Sequence, residues 1–228
     1  MPLIDAAPPR AAIRGVAVLV QSRESKRSAC QASRISAPAR RLHVVDADHP
    51  ERGAVEAFVQ RVYGDRYGAE VRHFAPRLVA LRDDAGEIVA AAGYRPAGTG
   101  PLFLERYLPV PVESLLGAES SRPPSRKRIV EVGHLAASRA GEGERLIVSL
   151  GPHLAGRGFH WVVSTLTEEL RHLFVRMGIA PLALGVADPR WLGDDAAQWG
   201  SYFDHRPVVL AGQIDAALQT LARRRVSS

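Results

Sequence analysis

The residues best suited to chemistry in this 228-residue chain lie in one run, Arg128 to Leu146, which reads RIVEVGHLAASRAGEGERL. An acid, Glu131, stands between Val130 and Val132 in a stretch that is apolar on both faces. A carboxylate buried there is costly unless it is paired or used. Burial also raises its pKa toward the range of a working general base. Three residues on, His134 is a second candidate for proton transfer or substrate contact. On a regular strand it faces the side opposite Glu131, and a bulge would bring the two together. A loop with Gly141 and Gly143 follows, and then Leu146, Ile147 and Leu150 at helical spacing. A strand, a glycine loop and a helix N-terminus aim backbone N–H groups and a dipole at one point, which makes an anion site. Ser138 and Arg139 are its candidate side-chain helpers. The combination suggests a phosphate-bearing cofactor beside a general base. Bland readings stand beside these. Glu131 can be a structural carboxylate paired with Arg128 or another arginine, His134 a hydrogen-bonded structural histidine, and the glycines an ordinary strand-to-helix turn.

Arg128, which opens this run, is a substrate-binding candidate, and two more, Glu105 and Arg106, lie outside it. Glu105 and Arg106 belong to Leu102–Leu108, read as a short strand, where Arg106 is suited to hold a substrate carboxylate in a bidentate pair. A solvated or paired surface explains them equally well. The eight histidines form no His-x-x-x-His pair, and Cys30 is the single cysteine, so neither a metal site nor an internal disulfide is expected.

The elements that position these residues follow from patterning. Leu42–Val45 reads as a strand, and Pro50 opens a helix carrying Val55, Phe58, Val59, Val62 and Tyr63. Leu78–Leu81 and Ile88–Tyr94 flank a turn at Asp84-Ala85-Gly86 and read as a hairpin. Val112–Leu116 suggests a short helix, and the polar residues 117–126 a loop. Beyond the opening unit, Gly151-Pro152 should kink or restart its helix. Phe159–Ser164 is a strand, and Thr165-Leu166-Thr167-Glu168 has the spacing of a capping box. The helix it opens ends at Gly178. Strands at Leu182–Ala187 and Pro207–Ala211 and a terminal helix from Ile214 complete the chain. A helix after each later strand suggests parallel neighbours. The expected fold is α/β: a mixed sheet with helices on both faces.

Composition narrows the function. Hydrophobic residues make up 46% of the chain, enough for a real core, and no apolar run approaches the length of a membrane span. Residues 1–41 hold eight basic and two acidic side chains, an excess that accounts for the whole formal charge of +6. The remainder balances to zero, so nucleic-acid binding is not expected. Residues 1–40 read as a flexible basic tail and 41–228 as a single domain. The apolar run Val16–Val20 is too short for a signal peptide, so a cytoplasmic location is expected.

The order of elements resembles the GNAT superfamily of acyl-CoA N-acyltransferases, in which a strand runs into a pyrophosphate loop, Gln/Arg-x-x-Gly-x-Gly/Ala, that opens a helix. Here the aligned residues are Ser138-Arg139-Ala140-Gly141-Glu142-Gly143. Ser138 replaces the leading Gln or Arg, and Glu142 brings a negative charge to the loop. These departures leave room for an acyl carrier protein as donor, as in the acyl-homoserine-lactone synthases that share the fold. A more specific resemblance is to the thermostable hemolysin family. It rests on LFLERYL (102–108), EVGHLAA (131–137), STLTEELRHLF (164–174) and WGSYFDHRPVV (199–209), in order, and covers roughly residues 42–212. The family pattern carries Asn where this chain has His134.

The resemblance implies acyl transfer from a thioester, acyl-CoA or acyl-phosphopantetheine on a carrier protein, to a small-molecule amine or amino acid. Glu131 would be the base, and backbone N–H groups near Val132 and Gly133 would hold the thioester and its oxyanion. Tyr202 would be the general acid, a role these enzymes often give to a tyrosine, or a core aromatic with a hydrogen-bonded tip. Two other readings remain: a membrane-active lytic protein, as the family name suggests, and a GNAT-like domain that binds acyl-carrier partners without turnover.

Overall fold

A computed structural model describes residues 42–118 and 123–227. The tail expected over residues 1–40 lies outside the described residues.

Seven strands form one mixed sheet in the order β1-β2-β3-β4-β5-β7-β6. They are β1 (His43–Val45), β2 (Arg77–Arg82), β3 (Ile88–Pro96), β4 (Ile129–Ala137), β5 (Trp161–Leu166), β6 (Leu182–Val186) and β7 (Val208–Gln213). Among the described residues five α-helices accompany them: α1 (Arg52–Tyr67), α2 (Val112–Ala118), α3 (Glu142–Gly156), α4 (Glu168–Arg176) and α5 (Ile214–Ser227).

The central strands are buried on both faces, so they read as continuous apolar runs rather than alternating ones. Along β2, Leu78 and Ala80 pack with Val55, Phe58 and Val59 of α1 on one face. Val79 and Leu81 pack with Leu146, Leu150 and Leu154 of α3 and Ile214 of α5 on the other. A third cluster, Leu104, Leu116, Ile129, Val163 and Val209, seats residues 97–116 against the sheet.

Four expectations need correction. Leu102–Leu108 is not a strand: Phe103–Tyr107 forms a 3₁₀ turn. Its apolar residues alternate, but Glu105 reaches back to accept from the Leu102 amide (2.8 Å), which closes the turn. Pro152 does not break α3, which runs unbroken from Glu142 to Gly156. Buried Leu150 and Leu154 hold the helix on either side of the proline. The capping box is absent: Thr165 lies within β5, and the N-cap of α4 is Thr167, which makes no side-chain cap bond. The parallel neighbours shrink to one pair, β4 with β5, because β7 returns antiparallel between β5 and β6.

That single parallel pair shapes the site. β4 and β5 are joined through only three residue pairs, ending at Glu131 with Val163. Beyond Glu131 the strands part. The Ser164 hydroxyl donates to the Val132 carbonyl (2.6 Å), satisfying an acceptor that a continued ladder would have used.

Candidate active site

β4 carries a bulge where it parts from β5. Its register with β3 shifts between Ala91 and Gly93, so β4 contributes one extra residue there. His134 sits at this bulge with φ +54°, a left-handed backbone in which few residues other than glycine and asparagine are at ease. The bulge resets the alternation of β4, and Glu131 and His134 line the same small cavity of about 120 Å³. Gly133 lies between them, and a Cβ added there would project into open space.

Glu131 is gripped by backbone. Phe103 N–H donates to Oε2 (2.8 Å) and Leu104 N–H to Oε1 (2.9 Å). Burial holds its pKa above the usual carboxylate value, against the lowering effect of these two bonds and of Arg95. No arginine pairs with it among the described residues. Each oxygen retains a second lone-pair site, so the carboxylate can both fix the 3₁₀ turn and face the cavity.

His134 is enclosed. Nε2 lies 3.1 Å from the His73 carbonyl, which can only accept, so the proton sits on Nε2. Nδ1 is buried without a partner. Phe74 lies over the ring at 5.4 Å, and Gly93 makes room for it, since a Cβ there would come within 2.9 Å of Nδ1. Burial pushes the imidazole pKa down to about 4, with smaller contributions from Arg95 and Arg52. The ring is a neutral wall of the cavity.

The second space is a cleft of about 510 Å³ at the β4–α3 junction. Ser138, Arg139, Gly141 and Gly143 all line it. Gly141 caps α3 with φ +84°, which accounts for its being glycine. The first helical bond runs from Arg145 N–H to the Gly141 carbonyl (3.1 Å). The amides of Gly143 and Glu144 therefore have no carbonyl of their own helix to pair with. Glu142 is turned inward, 6% exposed, with Arg145 donating to it (3.0 Å). The Glu142 carboxylate is thus withdrawn from the cleft, which Glu144 and Glu169 line together with Arg66, Arg139 and Arg176. Arg139 is exposed and reaches Asp83 at 3.4 Å. Ser138 donates to the Val89 carbonyl (3.2 Å).

The third space, about 100 Å³, is almost wholly apolar and lies between the parted strands and helices α3 to α5. Val132 borders both this space and the Glu131 cavity, and Leu135 and Ile147 border both it and the cleft.

The remaining candidates separate. Tyr202 lines the Glu131 cavity, but its hydroxyl donates to the Thr165 carbonyl (3.4 Å). Its ring packs on Trp199 and Tyr67 at 5.2 and 5.3 Å. Glu105 is outside the cavity and forms an ion cluster with Arg126 (2.6 Å), which also holds Glu113 (2.6 Å). Arg128 sits at the far end of β4, donating to His160 Nε2 (2.7 Å). Arg106 does line the cavity, over the Phe103 ring at 4.0 Å.

Sequence reasoning missed two residues. Tyr63 borders both the Glu131 cavity and the cleft, stacked on Tyr202 at 6.3 Å. Its hydroxyl has no hydrogen-bond partner among the described residues, and burial holds it protonated well above the usual phenol range. Counted only as an apolar position of α1, it offered no signal. Arg95 faces Glu131 across the β3–β4 ladder and lines the cavity. An arginine ending an apolar strand was the available sign. Gly200 explains how the aromatic segment 199–203 reaches α1, for a Cβ there would meet the Tyr67 carbonyl at 2.0 Å.

The family model for thermostable hemolysin matches residues 45–218. The chain belongs to that family. No curated protein matches it. Among solved structures it is similar to the acyl-homoserine-lactone synthase LasI, with a TM-score of 0.55 at 15% identity, covering 79% of this chain and 92% of that one. BjaI, described as a CoA-dependent acyl-homoserine lactone synthase with SAM and isopentyl-CoA, gives 0.55 at 15% identity, over 81% and 89%. FeeM, an N-acyl amino acid synthase from uncultured soil microbes, gives 0.53 at 12% identity, over 78% and 98%. At these identities the likeness establishes the GNAT-like fold of this hemolysin-family chain. No helix among the described residues is long and apolar enough to cross a membrane.

Proposed function

We propose that this family member is an acyltransferase moving an acyl group from a thioester, acyl-CoA or acyl carrier protein, to a small-molecule amine or amino acid. One observation carries this reading. The parting of β4 and β5 after Glu131 leaves three spaces side by side, and Tyr63 and Val132 border more than one of them. A two-substrate thioester reaction needs a place for the phosphate-bearing arm, one for the acyl chain and one for the acceptor. The cleft at Ser138–Gly143 supplies helix amides and Arg139 for the first. The apolar space suits the second, and the Glu131 cavity the third.

In the reaction, the acceptor amine loses a proton to Glu131, directly or through water, as it attacks the thioester carbonyl. Of the backbone N–H groups near Val132 and Gly133, that of Val132 lies on the edge of β4 where the ladder to β5 ends, and in this reading it serves the oxyanion. Tyr63 then protonates the departing thiolate, the role first sought in Tyr202. The same reading keeps residues 41–228 as one cytoplasmic catalytic domain. The likeness to FeeM, an N-acyl amino acid synthase, and to BjaI, a CoA-dependent synthase, supports this choice of substrates.

The test is thiol release from a panel of acyl-CoAs and acyl carrier proteins, with pooled amino acids and polyamines as acceptors. Turnover that needs acceptor and falls in Tyr63→Phe supports the reading. Absence of thiol release with every donor overturns it.

A further inference from the structure

The Glu131 cavity is lined by two arginines, Arg95 and Arg106, that form no ion pair among the described residues. Arg95 is half-buried at the end of β3 and, among the described residues, has no ion pair or hydrogen bond. Arg106 is stacked on Phe103 and likewise has no carboxylate partner among them. Other arginines around these spaces are paired: Arg72 with Glu70 at 2.7 Å, and Arg66 with Glu169. A half-buried guanidinium without an anion forfeits hydration for nothing in return. The nearest acid, Glu131, has its oxygens turned to the Phe103 and Leu104 amides. Asp195 lies on the rim of the same cavity.

We propose that this cavity is a seat for an α-amino acid, its carboxylate held by Arg95 and Arg106 and its amine placed toward Glu131. The inference rests on the acyl-transfer reading for its purpose and goes beyond it in naming the acceptor class. Planar guanidinium forks match a carboxylate and present nothing to a neutral amine. The missing side chain at Gly133 and a volume of about 120 Å³ leave room for a small head group. An acid on the same wall as two arginines without ion pairs is the charge complement of a zwitterion.

Binding is measured by isothermal titration without any acyl donor, so the result stands apart from catalysis. The probes are matched sets: tyrosine, tyrosinamide and tyramine; leucine, leucinamide and isopentylamine. In at least one set the free amino acid should bind about 10- to 100-fold more tightly than its amide and amine, the range of a charge-assisted pair. Arg95→Gln should abolish that preference, and Arg106→Gln, a change at an exposed side chain, should reduce it without altering the melting temperature. Equal affinity across every set, or a preference untouched in both variants, overturns the proposal. So does failure of every free amino acid to bind. Because no donor is present, amino-acid binding without thiol release would sink the acyltransferase reading alone, and thiol release without carboxylate preference would sink this one alone.

Discussion

Replacing His134 with Asn should make the protein more resistant to acid, and the size of the effect follows from the site. The imidazole is held neutral, with Nε2 donating to the His73 carbonyl and Nδ1 buried without a partner. Its pKa is pushed down to about 4, against an ordinary value of 6.5. With the folded pKa below the unfolded one, the unfolded chain takes up the proton first. The favourable contribution is complete above pH ~6.5, drains away as pH falls, and is exhausted below pH ~4. Relative to pH 7 the loss is about 1 kcal/mol at pH 5.5 and about 2.5 kcal/mol at pH 4.5. Asn has no proton to take up and tolerates the left-handed φ of +54° at this position. Urea unfolding of both proteins at pH 7, 5.5 and 4.5 is the assay. Other carboxylates titrate in both chains and cancel in the difference. The stability gap should move in favour of Asn by those amounts as pH falls. Parallel pH profiles would refute the enclosed, neutral imidazole.

Glu131→Gln should cost about 1–3 kcal/mol of stability, because its amide can accept from only one of the Phe103 and Leu104 N–H groups and sets a donor against the other; chemical denaturation reads this apart from activity. Tyr63→Phe should lower thioester turnover by about tenfold or more while keeping its stack on Tyr202. Tyr202→Phe, whose hydroxyl only meets the Thr165 carbonyl, should change turnover far less. Equal losses in a thiol-release assay would return the acid role to Tyr202. Arg126→Ala should destabilise by about 2–3 kcal/mol, since it strands the half-buried carboxylates of Glu105 and Glu113. The penalty should shrink when Glu105→Gln and Glu113→Gln are added, measured as a shift in melting temperature.

What was legible in this sequence was local. β4 announced itself because Ile129, Val130 and Val132 need burial, and the Gly141–Gly143 loop because glycines between a buried strand and a helical repeat mark a strand-to-helix turn. The misread turn at Phe103–Tyr107 had an alternating apolar pattern. It is set instead by Glu105 and Glu131 accepting the amides of Leu102, Phe103 and Leu104, one of them from 28 residues away. No window along the chain contains that bond. Tyr63 was invisible for a related reason. Helical spacing assigns it to the buried face of α1, and only the parting of β4 and β5 places that face at the edge of two open spaces.

His134 shows the two levels meeting. Read as chemistry, a histidine three residues from a buried acid is a proton-transfer partner. Read as backbone, the same position is a bulge with positive φ, where the asparagine of the family pattern is the comfortable residue. The bulge is thus a matter of backbone, and the histidine ring is accommodated there by Gly93 and Phe74. Glu131 is different, because its side chain ties β4 to the turn that presents Arg106 to the cavity. A change at Glu131 therefore moves both the carboxylate and the arginine opposite it. For that reason the acceptor site has to be tested first at Arg95 and Arg106 and only afterwards at Glu131.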